Sequence, residues 1–214
     1  MNPQEPAIQP QGRLRKRRSD GEKSRAAILD EATRLATIEG IGGLSIGRLA
    51  EAVGMSKSGL YAHFRSKEEL QLAIVDTASE LFADQVVAPS EHANSALARL
   101  EILADRYLHY IEIDNFPGGC FFASVLAEVD MHPGAVRDRL VAFLGDWLGR
   151  LEAGVHDAQA EGSIRADEDA AQLAFEIEAA LFLANAQYVV THTRAPLDRA
   201  RTSIERRLAA ATAK

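Results

Sequence analysis

Between residues 45 and 64 two short apolar registers follow one another across a glycine, and few folds accept that arrangement. Ile46, Leu49, Ala50 and Val53 stand at i, i+3, i+4 and i+7, the spacing of one helix face. Ser45 precedes them as an N-cap residue and Gly54 follows as a stop. Beyond the turn, Leu60 and Phe64 repeat the i, i+4 spacing. Helices over 45–53 and 57–64, joined by a tight turn at 54–56, spell a helix-turn-helix.

The second of these helices sorts its side chains by face. Leu60 and Phe64 point inward against Leu49 and Val53, while Lys57, Ser58 and Tyr61 lie opposite, with His63 and Lys67 along the flank. The surrounding stretch "MSKSGLYAHFRSK", residues 55–67, holds three cations and no acidic residue. A ridge of this kind suits the major groove. Amines, hydroxyls and an imidazole donate to phosphate oxygens, and small side chains let the helix approach base edges. Gly59 costs about 1 kcal/mol in a helix relative to Ala, which fits a backbone brought close to another surface. Lys67 opposes the helix dipole at a helix start, and a neighbouring phosphate removes that conflict.

Charge is divided along the chain in the same sense. Residues 1–75 carry twelve Lys/Arg against nine Asp/Glu, residues 76–214 twelve against twenty-two, so the net −7 conceals a basic front and an acidic back. That asymmetry points to a polyanionic partner for the first part only.

The remaining segments read as helices, with no alternating strand, so the chain is all-α. Residues 1–12 are rich in Pro and Gln and lead into "RLRKRR" (13–18); residues 1–21 are expected to form a disordered basic arm. A three-helix helix-turn-helix domain is expected over 22–82 and a helical bundle over 83–214. Within the bundle, helices are predicted over 95–113, 121–129, 135–160, 167–193 and 196–211, bounded by "NFPGG", "HPG", Gly162 and Pro196. The stretch 167–193 is apolar nearly all round, which requires cover on most sides.

Aromatic and apolar residues of the bundle supply candidates for a small-molecule pocket: Phe82, Leu103, Tyr107, Phe116, Phe121, Phe122, Phe143, Trp147 and Phe175, with Asn185 and Gln187 as polar anchors. Such a set suits a mostly apolar ligand. The single cysteine, Cys120, excludes an intramolecular disulfide, and no cation stands near it in sequence to activate the thiol. No cofactor or metal site is expected. The first twenty residues have no apolar segment of signal-peptide type and no membrane span is expected, so the location is read as cytoplasmic. No nucleophile motif, phosphate-binding glycine loop or HExxH occurs, which leaves an enzyme or a protein-contact scaffold as the weaker alternatives.

The run "LSIGRLAEAVGMSKSGLYAHFRSKEEL", residues 44–70, resembles the DNA-binding domain of the tetracycline-repressor (TetR) family of bacterial transcriptional regulators, and the likeness extends over about 22–82. It departs from the commonest pattern at Ser58, where glycine is frequent, and at Gly59, where a larger residue is frequent. The resemblance implies that Ser45 contacts phosphate, that Lys57, Ser58 and Gly59 face bases, and that Tyr61, His63 and Lys67 clamp the DNA backbone. It also implies a homodimer through the last two helices, a double-stranded pseudo-palindromic operator, repression, and release by a small effector held in the larger domain.

Overall fold

The computed structural model describes residues 11–113, 115–129 and 133–212, the first ten of these as backbone alone. Nine α-helices occur among them. The N-terminal unit holds α1 (Gln11–Glu39), α2 (Ile46–Ala52), α3 (Lys57–Tyr61) and α4 (Lys67–Phe82). A π-helical turn (Ala83–Val87) and a 3-10 turn (Ala88–Ser90) lead to α5 (Ala96–Glu112), α6 (Phe121–Val129), α7 (Ala135–Ala160), α8 (Ala170–Thr191) and α9 (Ala195–Ala211). No strand occurs among the described residues, only an isolated bridge between Ile164 and Thr212.

Most of these helices begin where a short polar side chain satisfies an orphan amide. Ser45 Oγ accepts from Arg48 N at 3.1 Å, Ser56 Oγ from Gly59 N at 3.1 Å, Ser66 Oγ from Glu69 N at 3.0 Å and Ser95 Oγ from Ala98 N at 3.1 Å. Asp169 Oδ1 does the same for Gln172 N in α8. At α4 the cap is reciprocal in spirit, since Glu69 Oε2 reaches back to Arg65 N at 2.9 Å. Ser66→Ala is therefore expected to cost about 1 kcal/mol, read as a lower urea midpoint with an unchanged m-value.

Three boundaries differ from the sequence reading. Residues 1–10 of the expected disordered arm lie outside the described residues, but 11–21 are helical and belong to α1. Arg, Lys and Leu are good helix formers, so the basic run extends α1. Helix α3 stops at Tyr61, short of the expected end at 64, and Phe64 reaches the core from the turn that follows. A helix starting at Lys67, which the sequence gives no reason to end before Pro89, changes to a π turn at Ala83.

Helix α1 packs on α2, α4 and α6, and α4 runs on against α7, so α4 joins the N-terminal unit to the bundle. Ile28, Leu35, Ile41, Leu44, Leu49, Leu60, Phe64 and Ile74 form the buried centre of the first part. In the bundle, α5, α7 and α8 pack together and α9 lies along α8. By length and composition α8 is apolar enough to cross a membrane; its inner residues Leu173, Ile177, Leu181 and Ala184 are buried against the bundle, while much of its remaining apolar surface is exposed.

Candidate nucleic-acid interface and enclosed cavity

Helix α3 has a buried side and an open one. Leu60 and Phe64 are fully buried, and the Arg25 guanidinium lies 4.6 Å from the centre of the Phe64 ring. On the other side Lys57 and Ser58 are exposed, and Tyr61 retains 52% of its surface. The Lys57 arm runs back over the start of α2, so that a methyl group on Gly47 would sit 3.0 Å from Lys57 Cε and 4.0 Å from Ser45 Oγ. Ser45 and Lys57 are thereby brought together. Gly59 has an internal reason as well as an external one. A Cβ there would lie 3.2 Å from Ser56 Oγ, which the Gly59 amide needs as its cap.

His63 is half-buried beside Phe64, and Lys67 is exposed at the start of α4. Lys67 does not stand free. Its Nζ donates to Gly42 O at 2.6 Å, and Gln71 Nε2 donates to Ile41 O at 2.8 Å. The same loop is held from the bundle side, because Glu128 of α6 accepts from Ile41 N at 2.9 Å and from Gly42 N at 2.8 Å. The dipole conflict at Lys67 is thus relieved within the protein, by a carbonyl and by Glu68 and Glu69 in the first turn. Apart from Lys67, the residues of this loop junction were missed by sequence reasoning, since 86 residues separate Gly42 from Glu128. The glycines of "GIGG" were the one local signal.

In the bundle, aromatic side chains gather around Phe82. Its ring centre lies 5.2 Å from those of Phe143 and Trp147, 5.7 Å from Tyr110, 5.8 Å from Tyr107 and 6.2 Å from Phe122, all edge-on. Phe122 and Phe143 stack face to face. A gap of about 20 Å³ remains between Phe82, Tyr107, Phe122, Phe143, Trp147 and Glu178, room for about one water. Two of the larger hollows are open exterior grooves of about 430 Å³ between α5 and α9 and 420 Å³ between α8 and α9. Neither has the enclosing aromatic wall that small-molecule sites use.

Two groups in this cluster are chemically distinctive. Glu178 accepts from Trp147 Nε1 at 2.6 Å, and burial raises its carboxyl to about 7 despite that bond. Burial likewise pushes the Cys120 thiol up, against the opposing hydrogen bond from Tyr107, so the thiolate needed for electrophile capture is suppressed at neutral pH. No three His, Cys, Asp or Glu side chains converge on a metal-sized site among the described residues.

Residues 28–74 match the family model for bacterial regulatory proteins of the tetR family, and residues 96–204, half the chain, match the tetracyclin repressor-like C-terminal domain. The chain belongs to the TetR family. Among curated TetR-type relatives, the transcriptional regulator AcuR of Cereibacter sphaeroides is 27% identical over 141 residues, 64% of either chain. The HTH-type regulator AcrR of Shigella flexneri is 36% identical over 56 residues, 26% of either chain. The chain thus matches less than two thirds of the length of these relatives. A TetR regulator from Chloroflexus aurantiacus has the same fold, with a TM-score of 0.84, 27% identity, and coverage of 91% of this chain and 98% of that one. AibR, solved with isovaleryl coenzyme A and operator DNA, shares the fold at a TM-score of 0.70 and 24% identity, over 85% of this chain and 95% of its own. These relatives are regulators, not enzymes.

Within this TetR chain the predicted positions divide. Ser45, Lys57, Ser58, Gly59 and Tyr61 share the open side of α2 and α3, with His63 and Lys67 following. Phe82, Tyr107, Phe122, Phe143 and Trp147 meet at the enclosed gap. Leu103, Phe116 and Phe121 are buried but do not line it. Phe175 is a correction: it is 64% exposed on the outer face of α8, turned away from the cluster. Asn185 is buried with its Oδ1 accepting from Cys120 N at 2.8 Å, so it fixes the turn before α6 instead of facing the gap. Gln187 is exposed on α8. Glu178 and Cys120 line the gap and were absent from the predicted set.

Proposed function

We propose that this protein is a cytoplasmic transcriptional repressor that binds a pseudo-palindromic operator as a homodimer and is released by a small, mostly apolar ligand. The observation that carries the reading is the open face of α3, cationic and hydroxyl-bearing, propped from behind by Leu60 and Phe64. Lys57, Ser58 and Gly59 face base edges; Ser45, Tyr61, His63 and Lys67 contact phosphates. The basic run at 13–18, at the start of α1, adds affinity that falls with salt through counterion release.

Dimerisation is supported by α8. Phe175, Ala179, Phe182, Leu183, Ala186 and Val190 are exposed along its length at helical spacing, and Val190 keeps 80% of its surface. A contiguous apolar stripe of this kind on a bundle is an association surface, and α9 beside it completes a four-helix contact with a second copy. Two recognition helices related by a two-fold axis read half-sites about 34 Å apart or a little more.

The effector site is the aromatic cluster. In the closed arrangement described here no ligand fits, so entry requires the Phe122–Phe143 stack to part. A hundredfold loss of operator affinity then needs about 2.7 kcal/mol of coupling between the two sites. AibR, in its solved complex, holds isovaleryl coenzyme A and operator DNA together, which shows for that protein that this fold accommodates both.

The test is selection from a random duplex library on the full-length protein. Enriched sequences with two-fold symmetry are expected, bound by a dimer in sedimentation analysis. Leu183→Glu, in the middle of the α8 stripe, is expected to yield a folded monomer that no longer distinguishes the symmetric site from a single half-site. Enrichment of asymmetric sequences, or an intact Leu183→Glu dimer, refutes the dimeric reading.

A further inference from the structure

The 40–43 loop is gripped on both of its hydrogen-bonding sides by different parts of the chain. Its amides are held by one carboxylate of the bundle, with Glu128 Oε2 on Ile41 N at 2.9 Å and Oε1 on Gly42 N at 2.8 Å. Its carbonyls are held by α4 of the N-terminal unit, with Lys67 Nζ on Gly42 O at 2.6 Å and Gln71 Nε2 on Ile41 O at 2.8 Å. Gly42 therefore stands between Glu128 and Lys67, tied to one through its N–H and to the other through its C=O.

The glycines of the loop are what permit this approach. Gly40 has φ +78°, and a side chain on it would run into the Glu128 carboxylate. A Cβ on Gly42 would lie 2.6 Å from Glu128 Oε1. On the other side, Gly42 O takes one of the three ammonium donors of Lys67 and leaves two for an external acceptor. The exposed ammonium is thus aimed by the loop, and the loop is placed by Glu128.

Helix α6 connects this junction to the enclosed gap. Phe122, Ala123 and Leu126 line the gap, and Glu128 stands at the far end of the same helix. A ligand that parts Phe122 from Phe143 pushes on α6, the helix that carries the carboxylate holding the loop.

We propose that Glu128 is a positioning residue for DNA binding: it carries the position of α6 through the 40–43 loop to Lys67, and so links the cavity to the phosphate clamp. The proposal rests on the DNA-binding reading above and routes the link between the two sites through α6. Glu128 itself touches no DNA; it acts by holding Lys67 ready.

The experiment uses the full-length protein and a duplex recovered by selection on the wild type, with binding followed by fluorescence anisotropy. Glu128→Ala is expected to weaken binding about tenfold in the wild-type background and to have almost no further effect in Lys67→Ala, because the two residues act as one unit. Glu128→Gln keeps the size of the side chain and one good acceptor, so it is expected to fall between Ala and wild type, and it replaces Ala if the latter fails to fold. Hydrogen exchange at the Ile41 and Gly42 amides is expected to quicken in both variants. A loss that is equal in the Lys67 and Lys67→Ala backgrounds marks a merely structural role and overturns the proposal, as does wild-type affinity in both Glu128 variants. Failure of the selection to enrich any duplex overturns the DNA-binding reading, and this proposal with it; additive losses on a duplex that wild type binds well overturn the latch alone.

Discussion

Exchanging Lys57 for Ala and Tyr61 for Phe together is expected to lower affinity for the selected duplex by about a hundredfold while leaving the melting temperature where it was. A contact from Lys57 to a base edge is worth about 1–3 kcal/mol and a hydrogen bond from the Tyr61 hydroxyl to a charged phosphate about 1.5–3 kcal/mol, so a loss of about 1.4 kcal/mol at each suffices. Folding is spared because neither side chain supports the core: Lys57 is exposed and Tyr61 retains half its surface, while Leu60 and Phe64 behind them do the packing. The single variants separate the two roles. Lys57→Ala relaxes the choice of base at its position, whereas Tyr61→Phe removes one hydroxyl donor and weakens all sequences alike. Anisotropy titrations against the selected duplex and a scrambled one read both effects. Retention of wild-type affinity by the double variant means that DNA, if bound at all, meets another face.

Glu178→Gln is expected to stabilise the protein by up to about 3 kcal/mol at pH 8 and to change little at pH 4.5. In the unfolded chain this carboxyl ionises near 4.3, but burial in the aromatic cluster holds it at about 7 in the folded state. Between those values the native protein binds the extra proton, so wild-type stability falls as pH rises and the penalty is complete above about pH 7. The groups that face Glu178 do not reverse the sign. Trp147 Nε1 donates to it and partly offsets the burial, and Tyr107 and Cys120, themselves raised by burial, stay neutral. Glutamine keeps an acceptor for Trp147 and removes the charge. Urea unfolding of both proteins across this range, at one protein concentration, measures the difference. Parallel pH profiles would place the carboxylate in water and remove the electrostatic basis for this account.

How much of this was legible in advance depends on the range of the interaction concerned. The cap at Ser45 was a local matter, settled by a hydroxyl and an amide three residues on, and the start of α2 followed; Ser66 and Ser95 cap α4 and α5 in the same way but were not singled out. The two faces of α3 were equally local, because a turn of 3.6 residues fixes which side chains share a side. The aromatic set was a harder case. Helical spacing put Phe175 among apolar neighbours but left open whether those neighbours faced α7 or the exterior, and they face the exterior. Glu178 on the same helix was unremarked because one carboxylate in an apolar run has no periodicity to reveal it.

The sequence by itself determined an all-α chain, the starts of α2, α3 and α4, and a cationic ridge at Lys57, Ser58 and Tyr61 backed by Leu60 and Phe64, since each of these depends on residues within two turns of one another. Tertiary structure alone decided that the aromatic rings close on Glu178, that Phe175 stands outside, and that Glu128 holds the amides of Ile41 and Gly42. Those contacts join segments tens of residues apart, and only the packing of whole helices fixes which side chains a fold brings within reach.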